Sequence, residues 1–366
     1  MMSIQELLCG LREFLPAEQI RTKEPMRLHS SFGTGGPADL FVRVRSTAQL
    51  GAVLAYLTKE QMPVFLLGRG TNILAGDAGF RGAVVTMTPD SAFSPTDTEK
   101  EQRAHGLHAR QQAEASEGTG LRGSAEGAER DAEAYTVRGR DASFGPQALP
   151  SLYAAEVRGH RLCCGAGCSL AAAAAAARDS GLAGLEFAAG IPGSVGGGLV
   201  MNAGAYGGEM RMVVESVDML LSDGTVRCVS GEEMAFGYRQ SLLKRNGAAA
   251  LGAVFALTPD DPAQIRVRME ELAARRRARQ PLEFGSAGST FKRPAGHFAG
   301  QLIEEAGLRG FRIGEAQVSD KHCGFVVNRG GASARDVLAV IEEVQRRVRE
   351  NSGVELEREV ILLGEF

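Results

Sequence analysis

The run from Gly285 to Pro294, GSAGSTFKRP, combines groups for acid–base chemistry with groups that can bind an anion. Its glycines let a ligand come close to the backbone, and the hydroxyl of Ser289 can donate or accept a proton. Lys292 and Arg293 are suited to a negatively charged substrate. The alternative is a surface turn that leads into a strand, because glycine, serine and proline are also common turn residues.

A second glycine-rich run, from Leu185 to Gly207, reads LEFAAGIPGSVGGGLVMNAGAYG. Apolar residues alternate with glycine too densely for a packed helix, in which each glycine costs roughly 1 kcal/mol relative to alanine. Such a backbone suits close contact with a flat, phosphate-bearing cofactor whose pyrophosphate accepts hydrogen bonds from amide groups. The run therefore predicts a site for a nucleotide cofactor.

The elements near the N-terminus would position a third glycine-rich loop, at 68–72. Residues 47–59 predict a helix with Thr47 as its N-cap. The apolar residues 63–67 predict a buried strand, and this strand leads directly into the loop. The strand–helix–strand order with a glycine-rich exit predicts a small mixed sheet that binds a nucleotide.

The second half of the chain predicts further helices and strands around the serine-containing run. Asp223-Gly224 predicts a hairpin turn. Pro262 to Arg279 predicts a long helix, because proline in the first turn has no amide hydrogen to satisfy. Beyond the serine loop, helices are predicted at 299–306 and 333–351.

The composition changes between about Asp90 and Pro150, where Glu, Arg, Gln, Ala, Ser and Gly dominate. No sustained apolar periodicity of either kind is present there. We expect a disordered or loosely helical insertion, because long surface insertions cost little entropy. A partner-binding element that folds on binding is the alternative.

Composition limits the classes of function. A chain of 366 residues with 44% apolar residues suits two or three domains. The net charge of -3 gives no sign of attraction to nucleic acid or to a membrane surface. The first 16 residues predict an amphipathic helix that is too charged for a signal peptide, and the alanine tract at 171–177 is too short to span a bilayer. We therefore expect a cytoplasmic protein with no nucleic-acid or membrane partner.

Six cysteines are scattered along the chain without the framework of a small disulfide-bonded domain. Three of them form the run CCGAGC at 163–168, but no second Cys/His pair lies at zinc spacing. No metal site is predicted. The overlapping sequence from Gly165 begins like a dinucleotide fingerprint, but Leu170 stands in the third glycine position.

Five further motifs accompany the two long runs in chain order: SFGTGGPA at 31–38, LGRGTNIL at 67–74, FGYRQS at 236–241, AQVSDKH at 316–322 and LEREV at 356–360. Together they make the chain resemble the UDP-N-acetylenolpyruvoylglucosamine reductases, the flavoenzymes that complete UDP-N-acetylmuramate in peptidoglycan synthesis. The resemblance covers nearly everything outside about 90–150. The short distance from Arg239 to Ser289 resembles the compact type, which lacks the long tyrosine-bearing loop of larger members.

The resemblance implies an α+β fold. It consists of a two-part FAD-binding domain of the vanillyl-alcohol-oxidase/PCMH type and a smaller C-terminal α+β domain for the substrate. The implied boundaries are 1–88 and 151–260 for the two flavin subdomains, 261–353 for the substrate domain and 89–150 for the disordered insertion. Residues 354–366 would pack back on the first subdomain.

The resemblance also implies the chemistry. NADPH reduces non-covalently bound FAD, and the enolpyruvyl ether of UDP-N-acetylglucosamine then receives the hydride. By match of motifs, Ser289 is the acid that delivers the proton, while Arg239 and Glu359 polarise the substrate carboxylate. The neighbouring Glu357 leaves the last assignment ambiguous by two positions, and Glu359 is chosen because it directly precedes the apolar end of the chain.

The expected binding residues fall into two groups. The flavin residues come from two loops and comprise Gly68, Arg69, Gly70, Thr71, Asn72, Ile191, Pro192, Gly193, Ser194, Gly197, Gly198 and Asn202. The substrate residues are Tyr206, Arg279, Lys292, Arg293 and Gln317, of which the basic ones suit a diphosphate. Arg279 could equally be a solvated residue of a charged helix surface.

Two alternatives from other classes stay open. A flavin oxidase on a related fold would have no reason for the GSAGSTFKRP loop. A non-catalytic flavin- or nucleotide-binding protein would not require Ser289, Arg239 and Glu359 together. The sequence does not reveal the oligomeric state, although a monomer is favoured.

Overall fold

The computed structural model of the chain describes residues 3–87 and 151–366. The insertion predicted at 89–150 therefore lies outside the described residues. In the two described ranges, no helix is both long and apolar enough to cross a bilayer. Helices and strands occur together in all parts of the fold, which confirms the predicted α+β class.

The first lobe, up to residue 87, is a four-stranded sheet with helices beside it. Its elements are α1 (Ile4–Leu11), β1 (Ile20–Pro25), β2 (Pro37–Val44), α2 (Thr47–Lys59), β3 (Val64–Leu67), β4 (Ile73–Ala75) and β5 (Phe80–Met87), with 3₁₀ turns at Ala17–Gln19 and Met26–His29. The strand order is β1-β2-β5-β3, with β1 antiparallel to β2 and with β2, β5 and β3 parallel. The predicted cap of α2 was wrong by one residue, because Ser46 rather than Thr47 accepts the hydrogen bond from the amide of Gln49.

The core of this lobe forms where one face of α2 meets the sheet. Leu50, Val53 and Leu57 of α2 join Leu40 and Val42 of β2 in one buried cluster. Helix positions three and four apart share a face, and strand positions two apart point to the same side of the sheet. The sheet is fixed by this packing, so the end of β3 holds the following glycine loop in a defined place.

The second lobe, residues 151–260, is a five-stranded antiparallel sheet with three short helices. Its elements are β6 (Ala155–Arg158), β7 (Arg161–Gly165), α3 (Leu170–Asp179), β8 (Leu182–Ala183), α4 (Val195–Met201), β9 (Gly204–Ala205), β10 (Gly208–Glu209), β11 (Val214–Leu220), β12 (Val226–Ser230), α5 (Leu242–Asn246), β13 (Ala249–Ala256) and β14 (Thr258–Pro259), with 3₁₀ turns at Glu186–Ala188 and Met210–Met212. The main sheet has the order β12-β11-β13-β7-β6. The predicted Asp223-Gly224 turn joins β11 to β12, and Gly224 adopts the left-handed conformation there with φ +82°.

The third lobe begins with the long helix α6 (Pro262–Arg279), which has the predicted bounds. It continues with α7 (Ala299–Glu305), β15 (Arg312–Ile313), β16 (Ala316–Val318), β17 (Val326–Asn328) and α8 (Ala334–Ser352), and the chain ends in β18 (Ile361–Leu363). Strands β15, β16 and β17 form a small sheet against α8.

The C-terminal segment returns to the first lobe. Strand β18 pairs in parallel with β4, and the amide of Ile361 donates to the carbonyl of Asn72 at 3.1 Å. Asp77 of the first lobe accepts hydrogen bonds from the amides of Ala334 and Arg335 at the start of α8, at 2.8 and 2.9 Å. These contacts bring residues just before β18 next to the glycine loop that follows β3.

Candidate active site

The centre of the site is an ion pair between residues 120 positions apart. Nε of Arg239 donates to Oε1 of Glu359 at 2.5 Å, and their side chains are only 20% and 11% exposed. Arg239 lies in a tight turn in which the amides of Gly237 and Gln240 each bond to the carbonyl of the other residue, at 3.0 and 3.1 Å. Ser289 is the third member of the predicted trio. To act with the other two, it must lie near the Arg239–Glu359 ion pair.

The loop of Ser289 runs alongside the C-terminal segment that carries Glu359. Phe291 and Arg358 form an antiparallel bridge, and the amide of Glu359 donates to the carbonyl of Thr290 at 2.9 Å. Thr290 is buried, and its hydroxyl accepts a hydrogen bond from the amide of Val326 at 2.9 Å. Ser289 itself is exposed on the outside of this fixed loop, where its hydroxyl can meet a ligand.

The two oxygens of Glu359 have different surroundings. Oε1 is bound by Arg239, whereas Oε2 is buried and has no hydrogen-bond partner among the described residues. Burial raises the pKa of Glu359 above its ordinary value, and the charges of Arg239, Lys292 and Lys244 oppose that rise. A buried polar atom without a partner is costly, so Oε2 marks a place where a ligand group would complete the site.

The two predicted flavin loops face each other across a short distance. A Cβ atom built on Gly68 would lie 2.8 Å from the hydroxyl oxygen of Ser194 and 4.0 Å from Cα of Gly197. A Cβ atom on Gly193 would lie 4.0 Å from Oγ1 of Thr71. Side chains at these glycines would enter the space between the loops, so the backbone is left bare where a flat cofactor would lie against it.

The first flavin loop is also tied to its surroundings. Gly70 has φ +65°, and a Cβ atom on it would lie 1.8 Å from the carbonyl oxygen of His29, so only glycine fits. The amide of Ser31 donates to the carbonyl of Gly70 at 3.0 Å. Asn72 donates its side-chain amide to the carbonyl of Glu359 at 3.2 Å. The loop predicted to hold the flavin is therefore in direct contact with the residue predicted to act on the substrate.

Comparison with known proteins agrees with this geometry. A family model described as "UDP-N-acetylenolpyruvoylglucosamine reductase, C-terminal domain" matches residues 280–363, and one described as "FAD binding domain" matches 147–230. The UDP-N-acetylenolpyruvoylglucosamine reductase of Agathobacter rectalis is 41% identical over 362 residues, which cover 99% of this chain and 99% of the relative. The chain belongs to the UDP-N-acetylenolpyruvoylglucosamine reductase family.

Two further comparisons support that membership. The UDP-N-acetylenolpyruvoylglucosamine reductase of Clostridioides difficile is 39% identical over 365 residues, with both chains covered to 100%. The crystal structure of the reductase from Thermus caldophilus superposes with a TM-score of 0.66 at 28% identity, and covers 94% of this chain and 99% of the other. The resemblance predicted from the motifs is thereby confirmed, as is a flavin-binding part followed by the C-terminal domain of this reductase family.

Two of the predicted substrate residues of this reductase line one cavity. Lys292 and Arg293 belong to the wall of a cavity of about 590 Å³, together with Tyr238, Gln240 and His297. The amide of Arg293 donates to the hydroxyl of Tyr238 at 3.0 Å. Because Tyr238 directly precedes Arg239, the cavity adjoins the ion pair.

The other predicted substrate residues do not line this cavity. Tyr206 and Arg279 are exposed, the first in the turn between β9 and β10 and the second at the end of α6. Gln317 is buried, and its side-chain amide is occupied within the protein. It donates to the carbonyl of Gly310 at 3.2 Å and accepts from Nη1 of Arg329 at 2.7 Å. Its side chain therefore supports the fold of the substrate domain.

Asn202, predicted to contact the flavin, is also buried and bonded within the protein. It ends α4 in the left-handed conformation with φ 44°. Its side chain donates to Glu209 at 3.1 Å and to the carbonyl of Gly237 at 3.0 Å, and accepts from the amide of Arg211 at 3.0 Å. The contact with Gly237 connects the flavin loop region to the turn that carries Arg239.

Sequence reasoning missed three residues near the site. Tyr238 lies under the guanidinium of Arg239, whose Cζ is 5.0 Å from the ring centre. Lys244 donates to the carbonyl of Arg239 at 3.1 Å. Arg276 lies beside the second flavin loop, with Nη1 3.4 Å from a Cβ atom built on Gly190, and burial lowers its pKa. Tyr238 lies inside the FGYRQS motif and Lys244 three residues after it, whereas Arg276 lies in a charged run.

Proposed function

We propose that Arg239, Glu359 and Ser289 carry out the reaction of this reductase. As a member of its family, the chain is an NADPH-dependent flavin oxidoreductase. It reduces UDP-N-acetylglucosamine enolpyruvate to UDP-N-acetylmuramate, a precursor of peptidoglycan. The observation that carries the assignment of roles is the buried Arg239–Glu359 pair with its one free carboxyl oxygen, next to the loop of Ser289.

The cofactor is held between the loops that contain Gly68–Asn72 and Ile191–Gly198. The opposed glycines keep both loops free of side chains where they face each other, and non-covalent FAD bound there would supply hydride obtained from NADPH. Backbone amides of the first loop, Gly68–Asn72, would donate to a pyrophosphate, whereas those of Gly193, Gly196 and Gly198 in the second loop already donate to carbonyl groups within the protein. The residues of the two loops therefore fit FAD.

Arg239 and Glu359 stabilise the charge that develops on the substrate. Addition of hydride to the terminal carbon of the enolpyruvyl group moves negative charge onto its carboxylate, and fixed donors at that place lower the barrier. Arg239 supplies a permanent cation. Glu359 faces the anionic substrate best with a proton on Oε2, and its raised pKa favours that form.

Ser289 delivers the proton that completes the reaction. Its exposed hydroxyl lies on a loop whose neighbour, Thr290, is hydrogen-bonded to Glu359. A serine hydroxyl is a weak acid, but an enolate is a strong base, so proton transfer to carbon is favourable. A positioned acid contributes typically about 10²–10⁴-fold to the rate.

The diphosphate of the substrate is held at the cavity next to the ion pair. Lys292 and Arg293 supply its positive charge, and the guanidinium of Arg293 lies over the ring of Phe298 at 4.1 Å from the ring centre. Arg and Lys are the usual partners of phosphate groups. Tyr206 and Arg279 remain proposed contacts for the more distant parts of the nucleotide.

The Ser289→Ala variant tests the assignment by separating the two half-reactions under anaerobic conditions. Reduction of the flavin by NADPH should stay within about twofold, while reoxidation by the enolpyruvyl substrate should slow by about 10²–10⁴-fold. Ser286→Ala, in the same loop, is the control and should resemble the parent. Equal loss in both half-reactions would contradict the role as proton donor, and reoxidation only by oxygen in the parent would favour an oxidase.

We further propose that the protein acts in the cytoplasm as a monomer. No disulfide joins any of the six cysteines, all of which lie in the described residues, and this suits a reducing compartment. The slightly negative net charge is consistent with no nucleic-acid or membrane partner. Light scattering after size exclusion should give the mass of one chain, and a multiple of that mass contradicts the proposal.

A further inference from the structure

The turn that carries Arg239 has an unfavourable backbone conformation. Arg239 has φ +56°, in the left-handed region that side chains other than glycine and asparagine rarely adopt. It occupies the third position of the turn from Gly237 to Gln240. A residue keeps such a left-handed backbone conformation only where surrounding contacts stabilise it. The contacts that hold Arg239 are therefore part of what aims its guanidinium at Glu359.

Lys244 makes one of these contacts. Its Nζ donates to the carbonyl oxygen of Arg239 at 3.1 Å and lies 3.9 Å from the sulfur of Met201. The other main contact of Arg239 is its ion pair with Glu359. Lys244 thus binds the backbone carbonyl of Arg239, while Glu359 forms an ion pair with its side chain.

Lys244 is itself fixed to the flavin-binding part of the protein. It belongs to α5, which begins after the buried Ser241. The hydroxyl of Ser241 donates to the carbonyl of Val200 at 2.8 Å and accepts from the amide of Lys244 at 3.3 Å. Val200 and Met201 are the last residues of α4, the helix that follows the second flavin loop. A continuous set of contacts therefore connects α4 to the turn of Arg239.

Lys244 also belongs to the charged cluster around Glu359. The charged groups that influence it are Lys292, Glu357, Glu359 and Arg239. These five residues carry three cationic and two anionic side chains, so the cluster has an excess of positive charge before an anionic substrate binds. Lys244 is one of the three cations that hold down the pKa of Glu359 against the effect of burial.

We propose that Lys244 is a positioning residue, which holds Arg239 in its left-handed turn, connects that turn to α4 and supplies positive charge near Glu359. The inference rests on the proposed roles of Arg239 and Glu359. It assigns Lys244 no contact with the substrate. Its effect passes through the carbonyl of Arg239 and through the charge near Glu359.

The test compares Lys244→Met with Lys244→Arg, and Arg245→Met is the matched control. Arg245 is the next residue of α5 and is exposed. Lys244→Met should slow reoxidation by the enolpyruvyl substrate by about 10–100-fold, the range for misplaced catalytic groups. Lys244→Arg should restore much of that rate, and Arg245→Met should equal the parent. Flavin content and reduction by NADPH should change less than about twofold, because the flavin loops are untouched.

The pH profile provides a signature that a purely structural role would not produce. Lys244→Met removes a cation that lowers the pKa of Glu359, so the limb of the profile set by Glu359 should move to higher pH. Lys244→Arg should leave that limb in place. The proposal would be overturned if Lys244→Met had the reoxidation rate and the pH profile of the parent. It would also be overturned if Lys244→Met and Arg245→Met lost the same fraction of the reoxidation rate.

A double-mutant cycle with Arg239→Met separates this inference from the proposed function. If Lys244 acts through Arg239, its replacement should cost little once Arg239 is already absent. Full, additive losses would overturn the role of Lys244 and leave that of Arg239 intact. A parent-like rate in Arg239→Met alone would overturn the proposed function, and this inference with it.

Discussion

Two glutamates only two positions apart, Glu357 and Glu359, each pair with a cation from another part of the chain. Glu357 pairs with Lys292, and its side chain is 72% exposed. Glu359 pairs with Arg239, and its side chain is 11% exposed. Both lie in the irregular segment between the last helix and β18, so local secondary structure does not distinguish them. The two glutamates therefore differ in exposure because different parts of the chain cover them.

The cover over Glu359 is the turn of Arg239, together with the loop before Phe291. Exposed ion pairs contribute only about 0–1 kcal/mol, because water screens them and long side chains lose freedom. A buried carboxyl group instead has its pKa raised by desolvation, as Glu359 has. Reactive groups often have pKa values perturbed in this way. The comparison teaches that burial, and not residue type or pairing, gives Glu359 the raised pKa that is typical of reactive carboxyl groups.

Within this comparison, the largest effect should come from removing the carboxylate of Glu359. Glu359→Ala should lower the rate of reoxidation by substrate by about 10²–10³-fold, the usual loss for a group that stabilises developing charge. Glu357→Ala should stay within about threefold, because the carboxylate of Glu357 is mostly exposed to solvent. Single-turnover kinetics measure both variants. Comparable losses of rate in the two variants would contradict the distinction between a buried, reactive Glu359 and an exposed Glu357.

A smaller effect should follow from exchanging the cations. Arg239→Lys keeps the charge but loses the planar guanidinium that stacks on Tyr238 and bonds Glu359, so we expect a loss of about 10–100-fold. Lys292→Arg should cost less than about fivefold, because a diphosphate accepts either cation. The measurement is the dependence of the single-turnover rate on substrate concentration. A larger loss in Lys292→Arg than in Arg239→Lys would indicate that the reaction takes place at the cavity wall.

Among the variants of the buried pair, the smallest change should appear in Glu359→Gln. The carboxamide still accepts from Arg239 and offers a hydrogen-bond donor in place of a protonated Oε2, so a loss of about tenfold is expected. Because burial raises the pKa of Glu359, its neutral form persists to higher pH than in an ordinary carboxyl group and is lost as the pH rises through that pKa. The parent should slow along this limb, whereas Glu359→Gln should not. An unchanged limb in the variant would assign it to another group.

Much of the site could be predicted from the sequence because its motifs are local. The loop of Ser289, the glycine run around Gly193 and the turn of Arg239 are contiguous segments, and their residue types follow from what a backbone close to a ligand requires. The helix Pro262–Arg279 was predicted with correct bounds, since proline and the residues before it mark its start. The boundaries of the domains and the nature of 89–150 stay predictions.

Other features depended on contacts between distant segments. Nothing local separates Glu357 from Glu359, because the cover that distinguishes them comes from residues 120 positions away. The same holds for Gln317 and Asn202, whose motifs indicated ligand contacts while the fold uses their side-chain amides internally. Lys244 gained its role only when α5 was packed against α4.

The sequence by itself determined the family, and it predicted the flavin loops and the reactive groups, because each is encoded in a short segment with its own chemical requirement. The tertiary structure decided which of two equivalent glutamates is buried, which polar side chains are already bonded and which lysine supports Arg239. Burial and electrostatic environment are properties of the assembled fold, since they depend on residues that are far apart in the chain and meet only when it folds.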